Sequence, residues 1–141
     1  MSTDPHLPDD VPLDKPNPAR MYDYFLGGAH NFAIDRDAAE QVKAIMPDVP
    51  RIMQANRTFL RRAVTFLVEQ GIDQFLDIGS GIPTVGNVHT VAQTLNPDVR
   101  VVYVDIDPLA VRQSESLLQH NPNTSVLQGD ARQPEDILAH V

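Results

Sequence analysis

The run Phe75-Leu76-Asp77-Ile78-Gly79-Ser80-Gly81 constrains this chain more than any other stretch. A short apolar segment ends in a carboxylate and then in two glycines one residue apart. Such a run suits a buried parallel strand whose end turns sharply into a ligand-binding loop. Glycine tolerates positive φ and lets a ligand approach where a Cβ would block it. Thr84 follows as a plausible N-cap and opens a helical pattern, which would aim free N–H groups at the ligand.

A second apolar run, Val101-Val102-Tyr103-Val104-Asp105, also ends in an acid. In doubly wound folds a carboxylate at the end of the second strand accepts hydrogen bonds from ribose hydroxyls. Asp105 follows Gly81 by 24 residues, close to the roughly 20-residue spacing that this role requires. A dinucleotide fingerprint would place a third glycine where Thr84 stands, and no phosphate-binding lysine follows, so neither that motif nor a P-loop is complete. Each acid also has a plainer reading: Asp77 in a strand-to-helix turn, Asp105 capping the turn before Pro108, Asp130 as a solvated loop acid or helix cap. All three stand at the end of a predicted strand, where open α/β sheets bind ligands.

These residues carry a family resemblance. Asp77-x-Gly79-x-Gly81, then Asp105, then Gly129-Asp130-Ala131 resemble motifs I, II and III of class I S-adenosylmethionine-dependent methyltransferases. Ala19-Arg20-Met21-Tyr22-Asp23-Tyr24-Phe25-Leu26-Gly27-Gly28, with Asn31-Phe32-Ala33 and Asp35-Arg36, resembles the N-terminal signature of a bacterial S-adenosyl methyltransferase subfamily. Asn56-Arg57, Phe59-Leu60-Arg61-Arg62 and Gly86-Asn87-Val88-His89 extend the likeness, which runs from about Pro18 to the C-terminus.

The resemblance implies S-adenosyl-L-methionine as cofactor and in-line methyl transfer to an acceptor, expected to be a small molecule. It implies that the Gly79-Ser80-Gly81 loop faces the methionine and ribose portion and that Asp77 binds the tail ammonium. Asp105 would take the ribose hydroxyls, Ile106 would pack on the adenine, and Asp130 with the Ala131 N–H would read the adenine edge. Arg20 is the expected contact to the tail carboxylate. No catalytic residue is assigned; His30 and His89 are general-base candidates because their ordinary pKa lies near neutrality. The subfamily sheet has seven strands, of which this sequence supplies three. Their expected order is 3-2-1, with the first strand an open apolar edge through which two copies could pair.

Length and composition fit one soluble globular domain with a single core. The 141 residues are 42% hydrophobic and 21% charged, ordinary for a globular domain. The net charge of -8 disfavours broad binding to nucleic-acid backbones. With no cysteine, disulfides, thiolate metal sites and cysteine nucleophiles are excluded. No apolar segment is long enough to span a membrane, and no basic and apolar leader opens the chain, so the expectation is a cytoplasmic protein. Asp35, Asp37 and His30 lack a metal-ligand spacing, and no metal is expected.

Residues 1–18 hold Pro5, Pro8, Pro12, Pro16 and Pro18 and predict an extended or disordered arm. Residues 19–71 predict a helical cap, with helices over 19–26, 35–45 (N-cap Asp35) and 52–70, Pro47 and Pro50 separating the last two. In the third, Ile52, Ala55, Phe59, Ala63, Phe66 and Leu67 form the expected buried stripe, with Arg57, Arg61, Arg62 and Glu69 facing away. Residues 72–141 predict a Rossmann-like half-domain: strands over 74–78, 100–105 and 125–128, helices over 84–95, 108–119 and 134–139, with Tyr103 in the core. This alternation implies a three-layer parallel α/β sheet. Besides a methyltransferase, a truncated non-catalytic cofactor-binding or interaction module fits these features. A nicotinamide-dependent oxidoreductase fits less well, given Thr84 and the Asp130-Ala131 pair.

Overall fold

The computed structural model describes residues 13–83 and 86–141. Pro5, Pro8 and Pro12 of the predicted arm and the predicted N-cap Thr84 lie outside these residues. Three helices, α1 (Pro18–Phe25), α2 (Ala33–Ile45) and α3 (Val49–Glu69), precede an alternating unit: β1 (Gln74–Ile78), α4 (Val88–Leu95), β2 (Arg100–Asp105), α5 (Pro108–Leu118), β3 (Thr124–Gln128) and α6 (Pro134–Leu138).

The three strands form one parallel sheet in the order β1-β2-β3, the expected 3-2-1 arrangement of a truncated Rossmann-like fold. The register puts Asp77 beside Tyr103 and Tyr103 beside Val126. Because side chains alternate across a strand, Phe75, Asp77, Val101, Tyr103, Asp105 and Val126 share one face. Val101 and Tyr103 there form a core with Val64 of α3, Val88 and Ala92 of α4, Val99, and Leu118 of α5. On the other face Val104 is buried, whereas Leu76 and Ile78 of the edge strand remain 39% and 48% exposed. A second small core of Phe25, Ala39 and Val49 ties α1, α2 and α3 together. No helix among the described residues is long and apolar enough to cross a membrane.

Local chemistry explains most boundaries. The Asn17 side chain accepts the N–H groups of Ala19 and Arg20, and Pro18 takes the first position of α1, where a missing donor costs nothing. The same logic corrects the start of α3. Pro50 sits inside the helix rather than before it, because first-turn N–H groups have no intrahelical partner to lose. Asp35, expected as the N-cap of α2, stands one turn further in and reaches back to the Phe32 N–H at 2.9 Å. α4 begins at Val88 rather than at residue 84, after Asn87 in an extended conformation. α3 ends as predicted at Gly71: the Ile72 and Gly71 N–H groups bond to the Leu67 and Val68 carbonyls at 3.0 and 2.9 Å.

The expected buried stripe of α3 is corrected too. Ile52, Phe59 and Phe66 are 50%, 62% and 60% exposed. The line that packs inward is Met53, Leu60, Val64 and Val68. The helix carries two apolar lines, and α4 and α1 cover most of the one made of thinner aliphatic side chains.

Candidate functional site

A cavity of about 620 Å³ opens at the carboxyl ends of β1 and β2, roofed by α1 and walled by α3. Its floor is the glycine loop. Gly79 and Gly81 have φ of 75° and 63°, a region that a side chain makes costly. The Gly79 and Ser80 N–H groups both donate to the Val104 carbonyl, at 2.8 and 3.1 Å. The Gly81 N–H donates to Asp105 Oδ2 at 2.7 Å. Ser114 of α5, bonded to the Ala110 carbonyl, also reaches the Gly81 carbonyl at 3.3 Å. The loop is therefore fixed by β2 and α5. On its open side, a Cβ added at Gly79 would meet no atom within 4 Å.

Asp105 has a double task. While Oδ2 holds Gly81, Oδ1 accepts the Asp107 N–H at 2.9 Å. A carboxylate offers about four lone-pair positions, so two stay available toward the cavity that it lines. Asp107 in turn caps α5 through the Leu109 N–H and accepts from the Asn17 amide at 2.6 Å. This last bond fastens the segment before α1 across the cavity rim.

The N-terminal signature is an interlock. Arg20 and Asp35 are both fully buried, with Arg20 Nε 2.7 Å from Asp35 Oδ2. Arg20 Nη2 donates to the Lys15 carbonyl at 2.9 Å and the guanidinium lies 5.3 Å from the Phe32 ring centre. Asp35 also accepts the Asn17 and Phe32 N–H groups. Arg20 thus sits in the joint of α1 and α2, off the cavity wall. There the buried Asp35 carboxylate pairs with its charge. Asp23 closes the next loop, accepting the His30 N–H at 2.8 Å and the Asn31 amide at 2.9 Å. Its carboxylate crowds Gly28 so closely that a Cβ there would lie 2.0 Å from Oδ1, which is why no larger residue fits.

Tyr22, Asn56 and Arg57 join α1 to α3 on the cavity wall. The Asn56 amide donates to the Tyr22 hydroxyl at 3.0 Å, and the Arg57 guanidinium lies 5.1 Å from the Tyr22 ring centre. Sequence reasoning missed Arg57 because a basic residue on an amphipathic helix reads as solvent-facing. The signal that could have found it was its place four residues after Met53 and three before Leu60, on the same side of α3 as the inward line.

Of the sequence-predicted residues, Asp77, Gly79, Ser80, Gly81, Asp105 and Ile106 line this one cavity. Asp130 and Ala131 lie one strand further out, off its wall. Arg132 grips the Asp130 carboxylate through both Nε and Nη2 and holds its pKa down at about 2. Four carboxylates, Asp23, Asp77, Asp105 and Asp107, line the cavity against one cation, Arg57. Burial pushes the Asp77 carboxyl above its ordinary range; Arg57 opposes that shift and Asp105 adds to it. His89 sits behind the loop. Its N–H and ring Nδ1 meet the Tyr103 hydroxyl at 3.0 and 2.6 Å, and burial lowers its pKa. Burial likewise raises the Tyr103 pKa, so the phenol keeps its proton and can donate it to a neutral His89. Among the described residues, no group of three His, Asp or Glu side chains converges to hold a metal ion.

Comparisons with known proteins bear on the family and the fold. A search of curated proteins finds no match. Among solved structures, a candidate methyltransferase from Thermobifida fusca YX superposes with a TM-score of 0.88 at 48% identity, covering 99% of this chain and 52% of that one. A DUF574 family protein from Streptomyces avermitilis MA-4680 superposes with a TM-score of 0.81 at 42% identity, covering 90% and 50%. The chain thus spans about half the length of these solved relatives. Residues 5–141 match the S-adenosyl methyltransferase family model, and the chain belongs to that family.

Proposed function

We propose that this chain forms the cofactor-holding part of an S-adenosylmethionine-dependent methyltransferase that acts on a small-molecule acceptor. One observation carries the reading: the glycine loop, Asp77 and Asp105 converge on a single cavity at the carboxyl ends of adjacent parallel strands, where α/β folds bind ligands. S-adenosylmethionine, when bound, supplies an activated methyl group on a sulfonium.

The residues present fit that group. The volume of about 620 Å³ lies within the range of cofactor pockets. The open side of Gly79 admits a ligand against the backbone, and Asp105 keeps two acceptor positions for ribose hydroxyls. Asp77 suits the tail ammonium, and Ile106, 58% exposed at the cavity wall, offers an apolar face to the adenine. Asp130 and Ala131 are assigned to the adenine edge on the family resemblance. The protein's part in the reaction is then alignment and water exclusion, because the methyl group needs no further activation.

The excess of carboxylates favours a cationic ligand and opposes a pyrophosphate, which counts against a nicotinamide dinucleotide. The exposed side of the sheet at Leu76 and Ile78 keeps a second reading in play, a cofactor-binding module without turnover of its own. Thermal unfolding with each ligand tests the proposal. S-adenosylmethionine and S-adenosylhomocysteine should raise the midpoint in a concentration-dependent way and NAD should not; stabilisation by NAD alone would contradict it.

A further inference from the structure

We infer that the hydrogen bond from Asn17 to Asp107 is a latch: it shuts residues 13–17 and α1 over the cavity, and its breaking sets how fast an adenosyl ligand enters and leaves. The inference rests on the cofactor reading above. α1 lines the cavity with Pro18, Ala19, Tyr22, Asp23 and Leu26. Its first turn lies against the glycine loop: a Cβ added at Gly81 would come within 3.7 Å of the Ala19 Cβ. This roof is held at two margins. Along one, Tyr22 rests on Asn56 and Arg57 of α3. Across the other, the Asn17 amide donates to Asp107 Oδ2 at 2.6 Å, joining the segment before α1 to the start of α5.

Local chemistry aims Asn17 at its partner. Pro16 and Pro18 flank it, and a residue before proline is pushed to extended backbone, which Asn17 adopts with φ -115° and ψ 130°. Its Oδ1 accepts the Ala19 and Arg20 N–H groups at 2.9 and 3.2 Å, so the Nδ2 donors face away from α1, toward Asp107. The Asn17 N–H donates to Asp35 at 2.9 Å, and the Lys15 carbonyl accepts from Arg20 at 2.9 Å. The segment is thus tied to α1 and α2 through the fully buried Arg20–Asp35 pair and to α5 through a part-buried contact between two side chains. Opening at Asp107 costs one charge-assisted hydrogen bond whose partners water can satisfy. Opening on the helical side would break a buried ion pair, which is far more costly. Residues 13–17 and α1 therefore move as one piece, with α3 as the hinge margin and Asp107 as the point of release.

The test exchanges donor and acceptor. Asp and Asn rank together as N-caps, so Asn17→Asp keeps the start of α1 and Asp107→Asn keeps the start of α5. The first sets two carboxylates against each other; the second turns an amide donor toward the Asn17 amide while its oxygen caps α5. The double variant carries the acceptor at 17 and the donor at 107, which restores the bond and leaves the charge of the rim unchanged. Isotope-labelled S-adenosylhomocysteine, bound to the full chain and chased with unlabelled ligand, should leave each single variant roughly tenfold to a hundredfold faster, the range for a charge-assisted hydrogen bond. It should leave the double variant at close to the unaltered rate. Asn17→Ser keeps a cap but is too short to reach Asp107; it should match the single variants and stands as the test if Asn17→Asp fails to fold. Release that stays fast in the double variant would show that Asp107 touches the ligand or supports the fold without latching the roof, and would overturn the inference. Single variants that release at the unaltered rate would overturn it too. No binding of S-adenosylhomocysteine by the unaltered chain would overturn the cofactor reading and the inference with it.

Discussion

Asp77 shows how a functional residue stands out energetically. Burial disfavours its charged form and holds its pKa above the ordinary carboxylate range, and only the nearby Arg57 opposes this. A carboxyl with a raised folded-state pKa holds its proton when the unfolded chain has already released it. Its contribution to stability is therefore present at low pH and is lost as pH rises from about 4 through the raised value. Asp77→Asn removes that penalty. The variant should unfold at a higher temperature than the unaltered chain at pH 7, with the gain shrinking toward pH 4, while S-adenosylhomocysteine binds more weakly. Unfolding midpoints across that pH range check the sign; a variant less stable at pH 7 would mean that Asp77 is structural. Asp130 behaves oppositely. Arg132 depresses its pKa to about 2, so any stability it adds is present above about pH 4 and fades as pH falls toward 2.

At the level of elements, the polar residues of the N-terminal signature bind α1, α2 and α3 into a roof over the glycine loop. Asp35 is the hub, accepting from Arg20, Asn17 and Phe32 while fully buried. Replacing it with Asn leaves the Arg20 charge buried and uncompensated, which should cost about 3–5 kcal/mol in urea-induced unfolding. A double replacement of Arg20 and Asp35 with apolar residues of similar volume should recover most of that loss. If Asp35→Asn costs under about 1 kcal/mol, the ion pair is not what holds the roof. The sequence made the strands legible because each is a short apolar run ending in an acid, and β1 and β2 fall at 74–78 and 100–105 as expected. It did not reveal the inward line of α3. Periodicity finds an apolar face but cannot say which of two faces a neighbour covers. The Arg20–Asp35 pair was not legible for a related reason: the two residues, 15 apart, meet only after α1 and α2 fold together.

Across the whole molecule, the sheet is covered unevenly. Leu76 and Ile78 on β1 and Phe59 and Phe66 on α3 remain substantially exposed, and β1 pairs with a strand on one side only among the described residues. Exposed apolar surface beside an unpaired edge favours association. Sedimentation of the chain should show concentration-dependent self-association, reduced by Phe66→Lys or Ile78→Lys; a monomer at all concentrations would show that the surface is tolerated in water. The candidate cavity adjoins this surface at the carboxyl ends of β1 and β2, with Phe59 on its wall, and is bounded by the loop, α1 and α3. Its central residue is Asp105, because that carboxylate both fixes Gly81 and faces the ligand. Calorimetric titration with S-adenosylhomocysteine, comparing the unaltered chain with Asp105→Asn and Asp105→Ala, tests the cofactor claim most directly. Saturable binding to the unaltered chain that falls at least tenfold in Asp105→Asn and vanishes in Asp105→Ala, with both variants still folded, is the predicted result. A folded chain that does not bind, or variants that bind as tightly as the unaltered chain, would contradict it.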